Sequence, residues 1–270
     1  VALNGDTVAI GDPIFLFGAT SMVLLLWDAA VWKRIEDLVS EISFNGAVYV
    51  FTRNVAGSLM STWTQRAKVL ASDDATADIS TFALHFGHSV ALSGDTLAVG
   101  APHFSGLVSG ARLSFNNQSS AGSAHIFTRD VAGDMTATWT RRAKLLASGG
   151  IVGDAFGSSI AISDSEDAIV VGAQFSDHLS NNTNNTLGHS GSAYIFTRDN
   201  QESPSATWTQ RHMLIPSHGA NGDHFGSSAA ISRDTVVVGA AKSDAHGKGS
   251  GFDTLENSGS AYVFAPLFHP

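Results

Sequence analysis

The chain has 270 residues, 43% of them hydrophobic, with a formal net charge of −9 at pH 7. That is enough apolar material for one large β domain or two smaller ones. The acidic balance and the absence of any Lys/Arg run exclude a binder of the nucleic-acid backbone, which needs a basic face. No cysteine is present, so neither disulfides nor a cysteine metal site can hold the fold.

Taken in order, Val1-Ala2-Leu3 reads as the end of a short strand, and the run up to Gly11-Asp12-Pro13 as a second. Residues 14–44 then interrupt the pattern with an apolar stretch that contains Asp28. An inserted helix near 28–42 fits it, because Val31, Ile35, Leu38, Val39 and Ile42 share one helical face. A membrane span would carry Asp28 at its centre, a cost of about 2.5–3.5 kcal/mol, and would divide one sheet between two sides of a bilayer. Mis-translated non-coding sequence in place of a loop is the third reading. From Asn45 the chain becomes regular. NGAVYVFTRN, AGSAHIFTRD, SGSAYIFTRD and SGSAYVFAP share a glycine, at Gly46, Gly122, Gly191 and Gly259, spaced 76, 69 and 68 residues apart. TWTQRAK, TWTRRAK and TWTQRHM follow in the same phase, at 62–68, 138–144 and 207–213. Phe-Gly recurs at Phe86-Gly87, Phe156-Gly157 and Phe225-Gly226. Four signatures in one order at one period define an internal repeat.

Each repeat holds four short runs rich in Val, Ile, Leu, Phe and Thr, bounded by Gly, Ser, Asp or Asn, which is a strand signature. Runs one to three are apolar at nearly every position, as for strands covered on both faces. Run four mixes Trp139 and Leu145 with Arg141, Arg142 and Lys144, which suits a solvent-facing edge. The expected fold is therefore all-β. It consists of four-stranded antiparallel meanders packed radially as propeller blades, at about 1–72, 86–147, 156–215 and 225–264, within a single domain over 1–270. Both terminal blades are incomplete, which reads as part of a larger propeller or as one that assembles with another chain.

These motifs identify a resemblance. Phe86-Gly87 with Gly100-Ala101-Pro102, Phe156-Gly157 with Gly172-Ala173, and Phe225-Gly226 with Gly239-Ala240 resemble FG-GAP repeats, the blades of the integrin alpha-subunit N-terminal propeller. The resemblance covers essentially the whole chain except residues 13–44. It implies an extracellular propeller, usually seven-bladed, that binds a ligand or partner. It also implies calcium in the loop between strands one and two. Here those loops are Asn4-Gly5-Asp6-Thr7, Ser93-Gly94-Asp95-Thr96 and Ser232-Arg233-Asp234-Thr235, each with one carboxylate, too few for the ion. The third repeat reads Asp164-Ser165-Glu166-Asp167, and its three carboxylates are the weak calcium candidates. No other cofactor is expected.

The sequence offers no catalytic set. Its eleven histidines lack HxxxH or HExxH spacing, and Trp63, Trp139 and Trp208 recur with the repeat as packing residues would. Asp154 and Asp223, just before Phe-Gly, are expected to bond backbone where strand one begins. In a meander the 1–2 and 3–4 turns share one end of the blade and the 2–3 and 4–1 loops the other. The 2–3 loops, at 103–121, 174–190 and 241–258, are the long and variable ones, so a partner site is expected there, with Asp177, His178, Asp244 and Asp253. The sequons at Asn117, Asn181 and Asn184 also fall in these loops and point to a glycosylated, extracellular or cell-surface protein. The expected function is non-catalytic binding of a protein or glycan in adhesion, with membrane contact only through regions outside this chain. An accessory propeller of a larger secreted or surface enzyme, and a purely structural surface repeat, stand as alternatives.

Overall fold

A computed structural model describes residues 1–12, 46–58, 60–71, 85–102, 121–179, 186–200, 206–246, 254–255 and 257–265. The insertion at 14–44, its expected helix, Asn117, Asn181, Asn184 and Asp253 lie outside the described residues. Among those described there is no helix, and so none long and apolar enough to cross a membrane.

The strands form four main antiparallel sheets. Blade 1 holds β1 (Ala2–Asn4), β2 (Thr7–Asp12), β3 (Ala47–Arg53) and β4 (Trp63–Val69). Blade 2 holds β5 (Ser89–Ser93), β6 (Thr96–Ala101), β7 (Ser123–Arg129) and β8 (Trp139–Leu145). Blade 3 begins with β9 (Phe156–Ile162) and β10 (Ala168–Ala173); after a two-stranded ribbon of β11 (His178–Leu179) and β12 (Thr186–Leu187) come β13 (Ser192–Arg198) and β14 (Trp208–Leu214). Blade 4 has β15 (Phe225–Ser232) and β16 (Thr235–Ala240), a second ribbon of β17 (Ala245–His246) and β18 (Thr254–Leu255), and β19 (Ser260–Phe264). Strand order is sequential in every sheet, β1-β2-β3-β4 and its equivalents, as short connections dictate. Blade 4 has three strands among the described residues.

Consecutive blades stack face to face, with β5 on β1 and β2, β9 on β5 and β6, and β15 on β9 and β10. Apolar side chains from both faces of the inner strands meet there. Val48, Val50 and Val69 of blade 1 pack with Phe86, Leu97, Val99 and Phe127 of blade 2. Ile126 and Leu145 pack with Phe156, Ile169 and Val171, and Val170, Ile195 and Leu214 with Phe225, Val236 and Val238. The three Phe-Gly phenylalanines are 0% exposed, a burial worth roughly 1.5–3 kcal/mol each. Each ring meets two aromatic edges of its own third strand, as Phe156 does at Tyr194 and Phe196, 5.5 and 6.0 Å between centroids.

One joint repeats at every interface. Phe-Gly sits at a bulge where Phe156 pairs with Ala173 but Ser159 pairs with Gly172. The peptide N–H of Phe156 donates to the Ala121 carbonyl (2.8 Å) and that of Phe225 to Ser190 (2.9 Å), which locks strand one of each blade to the blade before it. The next residue, Gly157 or Gly226, has φ of 98° or 91° and turns its carbonyl toward a glycine of the preceding blade. A Cβ on Gly100 would overlap Gly157 O, and one on Gly172 would overlap Gly226 O. The hydroxyls of Ser89 and Ser159 donate to these same carbonyls, each at 2.8 Å. The Gly in Gly-Ala is thus the seat for the Gly in Phe-Gly, one blade earlier.

Runs one to three are covered on both faces in blades 2 and 3, apart from part of the first strand and the last two residues of β13. In blade 4 they are not. β15, β16 and β19 alternate between half-buried or buried and exposed or half-buried positions, because one face of blade 4 has no neighbour among the described residues. β1 is likewise largely exposed. The expectation of two covered faces was derived from apolar composition, which cannot report whether a neighbouring sheet is present.

Candidate functional site

At the end of the blades that carries the 1–2 and 3–4 turns, three motifs of the repeat combine into one device. Asp95 in the turn of blade 2 accepts from Gly133 N (2.8 Å), in the 3–4 turn, and pairs with Arg129 Nε at 2.8 Å. Asp6 does the same in blade 1 with Gly57 N and Arg53 Nε (3.2 Å). The guanidinium of each arginine lies over the first residue of strand four. Arg53 sits 4.8 Å from Trp63, Arg129 4.7 Å from Trp139 and Arg198 5.1 Å from Trp208. Arg129 also donates across the joint to Thr7 (3.2 Å), and Arg198 to Thr96 (3.0 Å). The tryptophans are therefore packing residues, and the Gly-Asp-Thr turns are arginine acceptors. The sequence carried the signal in the joint recurrence of Gly-Asp-Thr, Phe-Thr-Arg and Thr-Trp-Thr, which spacing alone did not connect.

The basic edge has an equally specific job. β4, β8 and β14 each bulge against the third strand, and the extra residues are Arg66, Arg142 and Arg211. Their Nε atoms donate to Thr52, Thr128 and Thr197 at 2.8–2.9 Å. Asp130 gathers Thr138, Thr140 and Arg142, and Asp199 gathers Thr207, Thr209 and Arg211. Those threonine hydrogen bonds hold both carboxyls below the usual aspartate range.

The three calcium candidates part company in the structure. Glu166, at φ 60°, reaches across to blade 2, where Thr96 Oγ1 and Asp95 N donate to its carboxylate. Asp167 takes the place of Asp95 and accepts from Ser163 (2.8 Å) and Ser165. Asp164 accepts the Ser93 hydroxyl through its backbone carbonyl. Among the described residues no group of three or more His, Cys, Asp or Glu is placed to hold a metal ion.

At the opposite end lie the ribbons. Asp177 Oδ1 accepts from His189 N (2.7 Å), and Asp244 Oδ1 from Asn257 N (2.7 Å). His189 and Asn257 are left-handed, at φ 53° and 54°. Each aspartate thus closes the base of a ribbon, β11–β12 in blade 3 and β17–β18 in blade 4. His178 opens β11 beside Asp177. The two ribbons occupy equivalent places on consecutive blades. Between them Phe175 meets the rings of His189 and His224 at 5.5 and 4.9 Å. Burial, then Lys242 and His189, push the His224 imidazole below its ordinary value. The predicted backbone role of the aspartates before Phe-Gly is seen directly: Asp154 accepts from Ile151 N (2.9 Å) and Asp223 from Ala220 N (2.8 Å). Burial raises the Asp154 carboxyl.

His125 stands in the third strand of blade 2 where Tyr49, Tyr194 and Tyr262 stand in the other blades. It is 2% exposed, 3.0 Å from the Ser123 hydroxyl and edge-on to Phe86. Burial, aided by Lys144 and Arg141, pushes its pKa down to about 3.

Comparison with known protein families matches the FG-GAP repeat over residues 63–127, 139–196 and 208–264. Each matched span runs from the outer strand of one blade to the third strand of the next, and the joints Gly100–Gly157 and Gly172–Gly226 each link one matched span to the following one. No curated protein matches the chain. The matched spans cover most of the chain, and on that basis the chain belongs to the FG-GAP repeat family.

Proposed function

We propose that this chain is a non-catalytic propeller module of an extracellular or cell-surface protein, and that it binds a protein or glycan through the face bearing the ribbons. The observation that carries the reading is the way the ribbons are built. Blades 3 and 4 each raise a two-stranded extension from a rigid sheet, and a single aspartate, Asp177 or Asp244, fastens its base. Variable segments on a fixed scaffold are the usual place for recognition. The opposite face carries the Asp–Arg–Trp devices of blades 1 and 2, whose charged groups hold strands and blades together. Asp177, His178, Asp244 and Asp253 are the expected contact residues.

The test is a binding screen of the full chain against arrays of glycans and of secreted and cell-surface proteins, with calcium and with chelator. Replacing residues 180–185 and 247–252 by Gly/Ser segments of equal length is expected to lower affinity for any ligand found at least tenfold. Unchanged binding after both replacements, or no ligand on either array, overturns the reading.

A further inference from the structure

The outer rim between blades 2 and 3 holds a groove of about 500 Å³. We propose that it binds a neutral sugar, one or two pyranose rings of a glycan, at a site separate from the ribbon face.

The interface between blades 1 and 2 shows what a filled rim looks like. Strand four of blades 1, 2 and 3 carries Gln65, Arg141 and Gln210 two residues after its tryptophan. Between blades 1 and 2 the Arg141 guanidinium crosses the rim and donates to the Ala71 carbonyl. Ala71 and Trp139 there are 8% and 9% exposed. Between blades 2 and 3 the shorter Gln210 pairs with Ser148 instead. Its Oε1 accepts from Ser148 N (2.9 Å) and its Nε2 donates to Ser148 Oγ (2.7 Å). Ala147 and Trp208, the equivalents of Ala71 and Trp139, stay half-buried along the groove. Leu146, which also lines it, is 39% exposed.

The lining supplies both halves of sugar recognition. A pyranose presents C–H groups on its faces and hydroxyls around its edge. Arg198 lies over the Trp208 indole, 5.1 Å from the ring centroid; the part of the ring left uncovered, with Leu146, gives the groove an apolar floor. Trp208 thus keeps its packing role and has surface to spare. The polar half comes from the clamp across the rim. Gln210 and Ser148, once paired, each retain a hydrogen to donate, the second amide N–H and the hydroxyl. β14 is also the outermost strand of its sheet, so peptide groups that do not pair with β13 face the rim at Thr209 and Gln210. Lys144 is the one ionisable residue among the described lining, and no acid stands there to hold a cation. A cleft of this size and mixed polarity falls within the range of small-ligand sites, about 300–1,000 Å³.

The full chain is titrated with the methyl glycosides of glucose, galactose, mannose and N-acetylglucosamine and with their β1,4-linked dimers. Binding is read by saturation-transfer NMR. Transfer to at least one of these sugars is expected, with a micromolar to millimolar Kd. Gln210→Arg copies the filled rim of blade 2 and is expected to weaken binding at least tenfold. Ser148→Ala, at an exposed position where the fold is not at stake, is expected to weaken it severalfold. Replacing residues 180–185 and 247–252 is expected to leave it unchanged, which separates this site from the ribbon face. No transfer to any of these sugars overturns the proposal, as does full affinity in either point variant. Affinity that survives both variants and is lost with the ribbon segments would place sugar recognition on the ribbon face alone.

Discussion

Blades 3 and 4 are written almost identically. GDAFGSSIAIS opens one and GDHFGSSAAIS the other, followed by AIVVGA and TVVVGA, then SAYIF and SAYVF. Their burial diverges sharply. β9 is buried over its first five residues and β10 throughout, whereas β15 and β16 alternate. The strand sequences encode a sheet with two apolar faces. Whether both are used depends on the neighbour, so equivalent positions in the two blades share chemistry and differ in energy.

Four measurements would break or sharpen that contrast. The largest effect is expected from Gly172→Ala, whose methyl group meets the Gly226 backbone. A loss of about 3 kcal/mol or more in urea denaturation is expected, against less than about 0.5 kcal/mol for Gly239→Ala, where only serine side chains must move. Equal losses would show that the two blades are not differently supported. Next, Ile195→Ala removes a fully buried side chain and is expected to cost about 2–4 kcal/mol. Val263→Ala at the matching exposed position should stay within about 0.5 kcal/mol.

The third concerns the turns. Asp95→Ala strips a partner from the buried Arg129 and from Gly133 N, and a loss of roughly 2 kcal/mol is expected. Asp234→Ala, in the equivalent and exposed turn of blade 4, should be near neutral; a comparable loss there would remove the distinction. The fourth is a pH slope centred on blade 2. His125 has a folded pKa of about 3 against an ordinary 6.5. Between those values the unfolded chain binds a proton that the folded chain does not. Stability from this site is therefore complete above pH 6.5 and falls as pH drops, by about 1.4 kcal/mol per unit. His125→Tyr, which restores the residue of the other three blades, is expected to flatten the slope between pH 6.5 and 5; an unchanged slope would assign it to other groups.

The repeat, the strands and the edge position of run four were legible because period and alternation record them directly. The joint was only half legible. Phe-Gly and Gly-Ala were visible as motifs, but that Gly226 seats on Gly172 is a relation between blades, and residues 54 apart in sequence carry no local trace of it. The Asp–Arg–Trp device escaped for a related reason. Asp95 was weighed as a calcium ligand and found insufficient, while its partner Arg129 lies 34 residues later at the end of a strand read as apolar. Glu166 shows the converse: three acids in one turn suggested one ion, yet side-chain length sends the glutamate to blade 2 and leaves Asp167 with its own serines. On the ribbon face, Asp177 and Asp244 are expected as partner-site residues, and in the structure each also holds left-handed backbone at the base of an extension.

The glycine–carbonyl joint connects each blade only to the next. Such an array behaves as a one-dimensional chain of coupled units, whose stability is the sum of what each unit holds and what each junction adds. A unit with junctions on two sides is protected twice, and one with a single junction once. Among the described blades, opening is therefore expected to travel inward from blades 1 and 4, and the influence of a mutation to fade with the number of junctions between it and the observer. How far such a disturbance reaches before it dies out is a property of the joint, and is set by two glycines and a serine.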